Sequence, residues 1–550
     1  MPFSTFRCCC HCFAIFCSVD CVCYSKYLSE RDDADFSKIF TAFGVRERVN
    51  YDTFSGLCDR LVNDQGNLRD MTRDALLGQK RRATSRSATK GERVLLVDEV
   101  DVFFSRDFYG ATYNPCTSIS GSDVSQLQEA AWQHRNDSAS SLRARLRGMP
   151  QFTALVKRCS NASALIGGEI DSMVGDLKTW LQWHGQGRRA GDSGWKAYEV
   201  HRGQIGYKEQ DLVSTNTYYG YYTMWTYFHE AEQGNIKPEV LAQHHGISLM
   251  CGSFSYAELP KRFKVILGVT GTLKPETRGG VKGPEPLGTF ERKIIKDDYK
   301  IKHSTELPSV YGDSRLTFRE REHVYVDTEQ PEYFRKIEEE VLQAQDGRAV
   351  LVFFDTEAAM ELWLKSEYGR RASARVGMED GIHTLQTVKA STPNISHCVG
   401  VATRKRTVTL LSREHGRGLD FTCVCKVVEE TGGLHIVQTF LSEELSEEIQ
   451  IRGRTARQTN KGTFKLILLA HHLQKFDITA EEIALKQEGG DESMYDFLHK
   501  KRATWLWLES KDRSGKVEKA RAAHDATDRF QAALRRGDMA AILAFLKERN

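Results

Sequence analysis

Apolar residues recur along two parts of the chain with the rhythm of alternating strands and helices. Near the start, Ser18–Tyr24 alternates like a short strand, and the next segment carries apolar residues at helical spacing. The continuous apolar run Val94–Val97 then enters acidic residues, and Lys264–Leu273 repeats this pattern with a glycine-rich exit. Such runs are typical of buried parallel strands, which present side chains to a site at their carboxyl ends.

The rhythm returns after a Gly/Pro/Lys-rich connection that follows Gly279. Phe334, Ile337 and Val341 predict the buried stripe of a helix, and a strand over Ala349–Phe354 follows. Three further apolar runs predict strands at 407–411, 433–441 and 463–470, and the chain becomes helical and charged from about Ala480. These patterns predict a second α/β lobe followed by a helical tail.

The segment between the two predicted strands of the first lobe loses this rhythm and is rich in Ser, Gly, Tyr and Trp. We therefore expect an inserted domain at 111–251 within a first lobe built from 18–110 and 252–280. The second lobe is predicted at 281–480 and the helical tail at 481–550. A Cys-rich segment of uncertain status occupies 1–17.

Charge and cysteine usage add little to this picture. The 77 basic and 74 acidic residues nearly cancel, so the chain has no overall field that would attract nucleic acid. Seven of the fourteen cysteines lie between Cys8 and Cys23, a spacing that does not give two separated CxxC pairs for zinc. The scatter of the others is typical of a reducing compartment, and a cytoplasmic location is expected, with peripheral membrane attachment as an alternative.

Two acidic residues follow the apolar run Val94–Val97 directly. Asp98 at the end of a strand would hold Mg²⁺ through water, and Glu99 would orient and deprotonate an attacking water. The alternative is an acidic strand end that faces solvent.

Arginines concentrate in Glu447–Gln458. Guanidinium groups suit a developing phosphoryl charge, and a spacing of three predicts Arg454 and Arg457 on one helix face. The alternative is a solvated basic helix. Between a predicted strand and this motif, Gly416 and Gly418 flank Arg417, with Asp420 just beyond, which allows a close backbone approach.

Together these strings resemble, in sequence order, the motor of the SecA preprotein translocase ATPase family of helicase superfamily two: YLSERD, VLLVDEVD, LGVTGTL, GRAVLVF, REHGRGLDF, GGLHIV and IQIRGRTARQ. The resemblance implies two RecA-like P-loop NTPase lobes with ATP between them. It also implies that 111–251 occupies the position of the preprotein-binding domain. The partners it implies are a polypeptide client and a membrane-associated translocation channel, with nucleic acid less favoured.

The resemblance also implies roles for individual residues. Glu99, Arg454 and Arg457 would be catalytic, and Asp98 would bind Mg²⁺ through water. The nucleotide-binding set would be Asp98, Thr270, Gly271, Thr272, Arg417, Gly418, Asp420 and Gln458.

The chain departs from the family pattern at two places. Thr459 and Asn460 replace the Gly-Asp that usually follows the Arg-Gln pair in bacterial members. The sequence also contains no GxxxxGK[ST] loop, which would bind the phosphates with its backbone N–H groups. We therefore expect a SecA-like motor truncated before its P-loop, with weak ATP hydrolysis. Two alternatives stay open: a catalytically inactive nucleotide-binding module, and an RNA or DNA helicase.

Overall fold

The computed structural model describes residues 18–64, 66–79, 92–106, 108–185, 198–201, 203–209, 212–215, 218–273, 277–278, 281–282, 286–376, 378–379, 382–383, 385–389, 392, 394–489 and 491–549. The Cys-rich segment 1–17 lies outside these residues. The chain divides into two compact units. The first contains the chain up to Asp98, Val102–Gly268 and the chain from Ser514, and the second contains Glu99–Asp101 and Val269–Arg513.

The strands follow the chain in this order: β1 (Ser18–Cys23), β2 (Val49–Thr53), β3 (Arg93–Asp98), β4 (Thr112–Tyr113), β5 (Cys116–Ile119), β6 (Tyr198–His201), β7 (Gln204–Glu209), β8 (Leu212–Ser214), β9 (Ile247–Met250), β10 (Phe254–Ser255), β11 (Val265–Val269), β12 (Thr277–Arg278), β13 (Val281–Lys282), β14 (Arg315–Thr317), β15 (Val324–Asp327), β16 (Val350–Phe354), β17 (Met378–Glu379), β18 (Ile382–His383), β19 (Leu385–Val388), β20 (Val408–Ser412), β21 (Leu434–Gln438) and β22 (Lys461–Leu469).

The α-helices are α1 (Lys26–Ala42), α2 (Phe54–Val62), α3 (Leu68–Leu76), α4 (Val100–Phe103), α5 (Ser122–Gln133), α6 (Ala139–Gly148), α7 (Pro150–Arg158), α8 (Ser163–Gly185), α9 (Gly220–Glu232), α10 (Pro238–Gln243), α11 (Thr289–Lys293), α12 (Gln330–Val341), α13 (Glu357–Lys365), α14 (Glu367–Val376), α15 (Ile395–Ala402), α16 (Lys426–Glu430), α17 (Leu445–Arg452), α18 (Ala480–Gln487), α19 (Met494–Arg536) and α20 (Met539–Arg549). None of the described helices is long and apolar enough to cross a membrane.

The first unit contains a four-stranded sheet in the order β11-β3-β1-β2, and β1 pairs in parallel with both β2 and β3. β1 carries a fully buried carboxylate, Asp20. This group is held by ion pairs with Arg60 and Arg93 and accepts a hydrogen bond of 3.3 Å from Asn50 Nδ2. Because a buried charge without partners is strongly unfavourable, these groups tie together β1, β2, β3 and α2.

The predicted inserted segment contributes helices α5 to α9 to the first unit. Their buried apolar side chains form one continuous core with residues of α2 and α3, and with Phe530 and Leu546 near the end of the chain. The proposed domain boundaries at 110/111 and 251/252 stay a prediction.

Aromatic residues of this segment could form either a surface for extended polypeptides or an ordinary core. Tyr207, Tyr221, Trp225, Tyr227 and Phe228 are all buried, and each belongs to an apolar core cluster. For these five residues the core interpretation is therefore correct. Tyr218 is 38% exposed.

The second unit is built on a seven-stranded sheet in the order β14-β22-β21-β16-β20-β19, with β15 also paired to β22. All of its strand pairs are parallel, and every residue of β16, β20 and β21 is buried. The predicted stripe of α12 is also buried. The predicted α/β class is thus confirmed: both large sheets contain parallel strand pairs, and a long helix, α19, lies near the C-terminus.

Helices α17 and α19 are joined within the second unit by the Arg502 cluster: Glu448, Arg452, Tyr495 and Arg502. Arg502 Nη1 donates to Glu448 Oε2 at 2.7 Å, and these side chains are 1% and 0% exposed. The Tyr495 hydroxyl also donates to Glu448, and Arg452 Nη1 lies 3.6 Å from its other oxygen. Burial opposes ionisation of Glu448, but attraction to Arg502 and Arg452 outweighs it and holds its pKa below the ordinary value.

Candidate functional site

The acidic motif begins where β3 ends, as the sequence predicts. Asp98 is the last, partly exposed residue of β3, and Glu99 follows with a φ of 54°. This left-handed conformation is uncommon for a residue other than glycine, and such strain is often found at functional sites. Glu99 is 8% exposed, and Asp101, one residue into α4, is fully buried.

Two residues of the second unit, Arg417 and Thr270, contact Asp101. Arg417 forms an ion pair with Asp101 Oδ2, and its Nη1 lies 3.7 Å from Glu99 Oε2. Thr270 Oγ1, directly after β11, donates to Asp101 Oδ1 at 2.8 Å. We call Glu99, Asp101, Thr270 and Arg417 the Arg417 cluster. It joins three of the motifs that the sequence predicts to act together.

The Arg417 cluster contains two carboxylates and one arginine, and Arg454 also attracts Glu99. Burial raises the pKa of Glu99, and repulsion from Asp101 adds to this, so that attraction to Arg417 and Arg454 does not restore the ordinary value. Burial also acts against ionisation of Asp101, but Arg417 outweighs it and lowers the Asp101 pKa. Nearby, burial raises the pKa of Glu444 to about 7, against the attraction of Arg417 and Arg513.

The predicted glycine-flanked loop has the geometry that its glycines allow. Gly418 has a φ of 77°, and a Cβ on Gly416 would lie 2.6 Å from Ile451 Cγ1 of α17. The loop therefore packs against the helix that precedes the arginine motif. Arg417 Nη2 also lies 3.4 Å from the hydroxyl of Ser446 on α17.

Arg454 and Arg457 do not lie on one helix face, so that prediction is wrong. α17 ends at Arg452 because Gly453 follows as its C-cap, and Ala456 and Gln458 then adopt left-handed φ values of 52° and 57°. The arginines are therefore placed by an irregular turn, in which i, i+3 neighbours do not share a face.

The two arginines differ in what they contact. Arg454 is 5% exposed, and it donates to the carbonyl oxygens of Gly416 and Leu419 at 2.8 and 2.6 Å. It thus fixes the loop on both sides of Arg417. Arg457 pairs with Asp420, and these side chains are 37% and 58% exposed. Of these two arginines, Arg457 is the more accessible to a ligand.

The Thr270-Gly271-Thr272 turn is held by its own hydroxyl groups. Thr270 Oγ1 lies 2.9 Å from Thr272 Oγ1 and accepts a hydrogen bond of 3.1 Å from the Thr272 amide. Thr272 is buried at 1% exposure, while Gly271 is exposed. The turn therefore offers a polar, ordered edge directly against Asp101.

Sequence reasoning missed Asp101, Ser446 and Glu444. Asp101 was visible as the third acidic residue of VDEVD, and its position one residue into a helix would have placed it near Glu99. The other two lie on α17 or just before it, and only tertiary contacts bring them to Arg417.

The donor set suits a hard cation. Carboxylate oxygens are preferred Mg²⁺ ligands, and one or two of them suffice when phosphates and waters complete the shell. Burial, and then repulsion from Asp101, raise the pKa of Glu99, and an added cation would stabilise its ionised form. Asp98 would hold such an ion from the partly exposed end of β3. No cluster of three or more His, Cys, Asp or Glu residues that could hold a metal occurs in the described part of the chain.

Comparison with known proteins gives no family assignment. No protein-family model and no curated protein matches the chain. Among solved structures, the chain is similar to Mss116p with its NTE and C-tail deleted, bound to ssRNA and AMP-PNP, at 11% sequence identity and a TM-score of 0.31. The match covers 84% of this chain and 63% of that one. This chain thus spans less than two thirds of that structure's length. Similarity at this level assigns no function, and the α/β architecture rests on the strand pairing itself.

Proposed function

We propose that this chain is a nucleotide-driven motor module of the SecA type. ATP with Mg²⁺ would bind at the acidic motif, and hydrolysis would drive movement of a polypeptide. The observation that carries the proposal is the Arg417 cluster. It connects Glu99 and Asp101 of the acidic motif, the hydroxyl-bearing turn after β11 and the glycine-flanked loop.

The residues would divide the work as follows. Asp98 would hold Mg²⁺ through water, and the ion would supply positive charge to the phosphates. Glu99 would orient the attacking water and accept its proton, a role that suits a carboxylate with a raised pKa. Thr270 and Arg417 would keep the acidic motif in position, and Arg457 would contact the phosphates.

A catalytically inactive nucleotide-binding module is the second candidate, and one observation favours it. Arg417 and Arg454 already have protein partners at the acidic motif and at backbone carbonyls, and would have to exchange them to contact a phosphate. In this case the chain would bind nucleotide without turnover.

Glu99→Gln separates the two candidates. We expect the wild-type chain to bind a fluorescent ATP analogue in a Mg²⁺-dependent manner and to hydrolyse ATP slowly. Because positioned general bases contribute about 10²- to 10⁴-fold, Glu99→Gln should lower single-turnover hydrolysis by at least about 100-fold and leave binding intact. Glu322→Gln, at an exposed surface pair, is the matched control.

Each other outcome has a defined meaning. Binding without measurable wild-type turnover would support the inactive module. Absence of Mg²⁺-dependent nucleotide binding would refute both candidates.

The polypeptide client is proposed from the position of the predicted insertion between the acidic motif and the turn after β11. The test compares ATP turnover of the full chain with an unfolded peptide and with single-stranded RNA, each across a salt series. Stimulation by the peptide alone would support the SecA-type proposal. Stimulation by RNA alone, lost at high salt, would favour the helicase alternative.

A further inference from the structure

Helices α8 and α9 of the first unit enclose a buried carboxylate that has no part in the nucleotide proposal. Glu169 on α8 is 4% exposed, and it accepts a hydrogen bond of 3.0 Å from the hydroxyl of Tyr221 on α9. Its neighbours on the same helix face, Ile166 and Met173, are fully buried in the apolar core. Glu169 is therefore an ionisable residue placed among buried apolar side chains.

A second acid accompanies Glu169 two turns further along α8. Burial raises the pKa of Asp176, against the effect of Tyr222 on α9, and Tyr222 stacks on Trp183 with ring centroids 5.2 Å apart. The tyrosine–carboxylate hydrogen bond that joins the two helices is that of Tyr221 and Glu169. Asp176 acts on Glu169 by repulsion, since both are carboxylates.

Three arginines on the helices packed against α8 form ion pairs with acidic residues other than Glu169. Arg143 and Arg147 on α6 pair with Asp171, and Arg158 on α7 pairs with Asp123. The groups that act on the Glu169 carboxyl are Tyr221 and Asp176. The other charged residues of the packed helices are Arg145, Lys157, Lys547, Glu548 and Arg549, and the histidine and acids further along α9 are His229, Glu230 and Glu232.

These surroundings favour the neutral form of Glu169. Burial raises its pKa to about 7 from an ordinary value of 4.5, and repulsion from Asp176 adds to burial, while the Tyr221 hydrogen bond acts in the opposite direction. Glu230 on α9 differs in its contacts, because it accepts two hydrogen bonds of 2.7 Å, from Tyr198 and Asn235.

We propose that Glu169 is a proton-binding site that controls how firmly α8 and α9 pack, so that this helix pair is tighter in mildly acidic than in alkaline solution.

The direction follows from proton linkage. The folded chain holds the Glu169 proton more tightly than the unfolded chain, by roughly 300-fold for the shift from 4.5 to about 7, since each pKa unit is a factor of ten. The stabilisation is fully present below pH 4.5 and is lost as pH rises through about 7. Above that pH the helix pair must enclose an ionised carboxylate in an apolar core.

Amide hydrogen exchange of the full chain, corrected for intrinsic rates, tests this at pH 6 and pH 8.5. In the wild type, the protection factors of peptides from α8 and α9 should be at least about tenfold lower at the higher pH. Glu169→Gln should remove this pH dependence, because glutamine does not ionise. At pH 8.5, α8 and α9 of this variant should therefore be better protected from exchange than those of the wild type. Glu230→Gln is the matched control and should keep the wild-type pH dependence.

A spectroscopic measurement covers the case in which the glutamine variant folds poorly. The infrared band of a protonated buried carboxylic acid should titrate with a midpoint near 7, and Tyr221→Phe should move this midpoint upward because the carboxylate loses its donor. Wild-type and Glu169→Gln chains with the same pH dependence, or an unchanged midpoint in Tyr221→Phe, would refute the proposal.

Discussion

The Arg502 cluster and the Arg417 cluster contain the same kinds of groups in opposite proportions. In the Arg502 cluster, two arginines and a tyrosine hydroxyl surround one carboxylate, Glu448, whose pKa lies below the ordinary value. In the Arg417 cluster one arginine serves two carboxylates, and the pKa of Glu99 lies above it. In the first cluster the arginines outnumber the carboxylate, whereas in the second the carboxylates outnumber the arginine that contacts them. The two clusters thus differ in their balance of charge, although both contain arginine and acidic side chains.

The first prediction concerns removal of Glu448. Glu448→Ala leaves Arg502 and Arg452 buried without their anion, so it should lower the free energy of unfolding by about 3–5 kcal/mol. The measurement is urea unfolding at pH 7, with Glu361→Ala at an exposed pair as the control, where the change should be about 0–1 kcal/mol.

The pH dependence gives a second test of the same residue. Because the folded-state pKa of Glu448 is lowered, its contribution is present above about pH 4.5 and is lost as pH falls below it. The difference between wild type and Glu448→Ala should therefore shrink in acid. A difference that stays constant with pH would mean that lost packing, and not lost charge, explains the effect.

The next prediction concerns Arg417. Arg417→Ala removes the ion pair to buried Asp101, which keeps its hydrogen bond from Thr270. The expected loss is about 1.5–3 kcal/mol, the range for a hydrogen bond to a charged group. The same change removes the cation that opposes the raised pKa of Glu99, so this pKa should rise further.

Added Mg²⁺ sharpens the comparison between the clusters. If the Arg417 cluster accepts a cation, Mg²⁺ with nucleotide should recover part of the stability lost in Arg417→Ala, as a ligand that binds the folded state does. The control is Glu448→Ala, which should gain no more from Mg²⁺ and nucleotide than the wild type gains. If Mg²⁺ with nucleotide stabilises both variants equally, the two clusters do not differ in their ability to accept a cation.

The two clusters also show how far the sequence could be interpreted. The acidic motif, the loop around Arg417 and the strands before them were predictable because buried parallel strands have continuous apolar runs and glycines mark close approaches. The Arg502 cluster was not predictable, because Glu448 and Arg502 are 54 residues apart. The turn after Arg452 was missed because regular helical spacing was extended past Gly453.

The last prediction concerns Arg457, where the expected effect on stability is smallest. Its partner Asp420 and its own side chain are 58% and 37% exposed, and pairs in contact with water contribute about 0–1 kcal/mol. Arg457→Ala should therefore unfold almost as the wild type does. If Arg457 contacts phosphate, the same variant should weaken binding of the ATP analogue more than that of adenosine, because only the former carries the charge that a guanidinium recognises. Arg319→Ala, at another exposed pair, is the control and should affect neither ligand. If binding of both ligands is weakened equally, Arg457 instead supports the turn that holds Arg454. Arg417 or Arg454 would then have to contact the phosphates, and each would first have to leave its present partners.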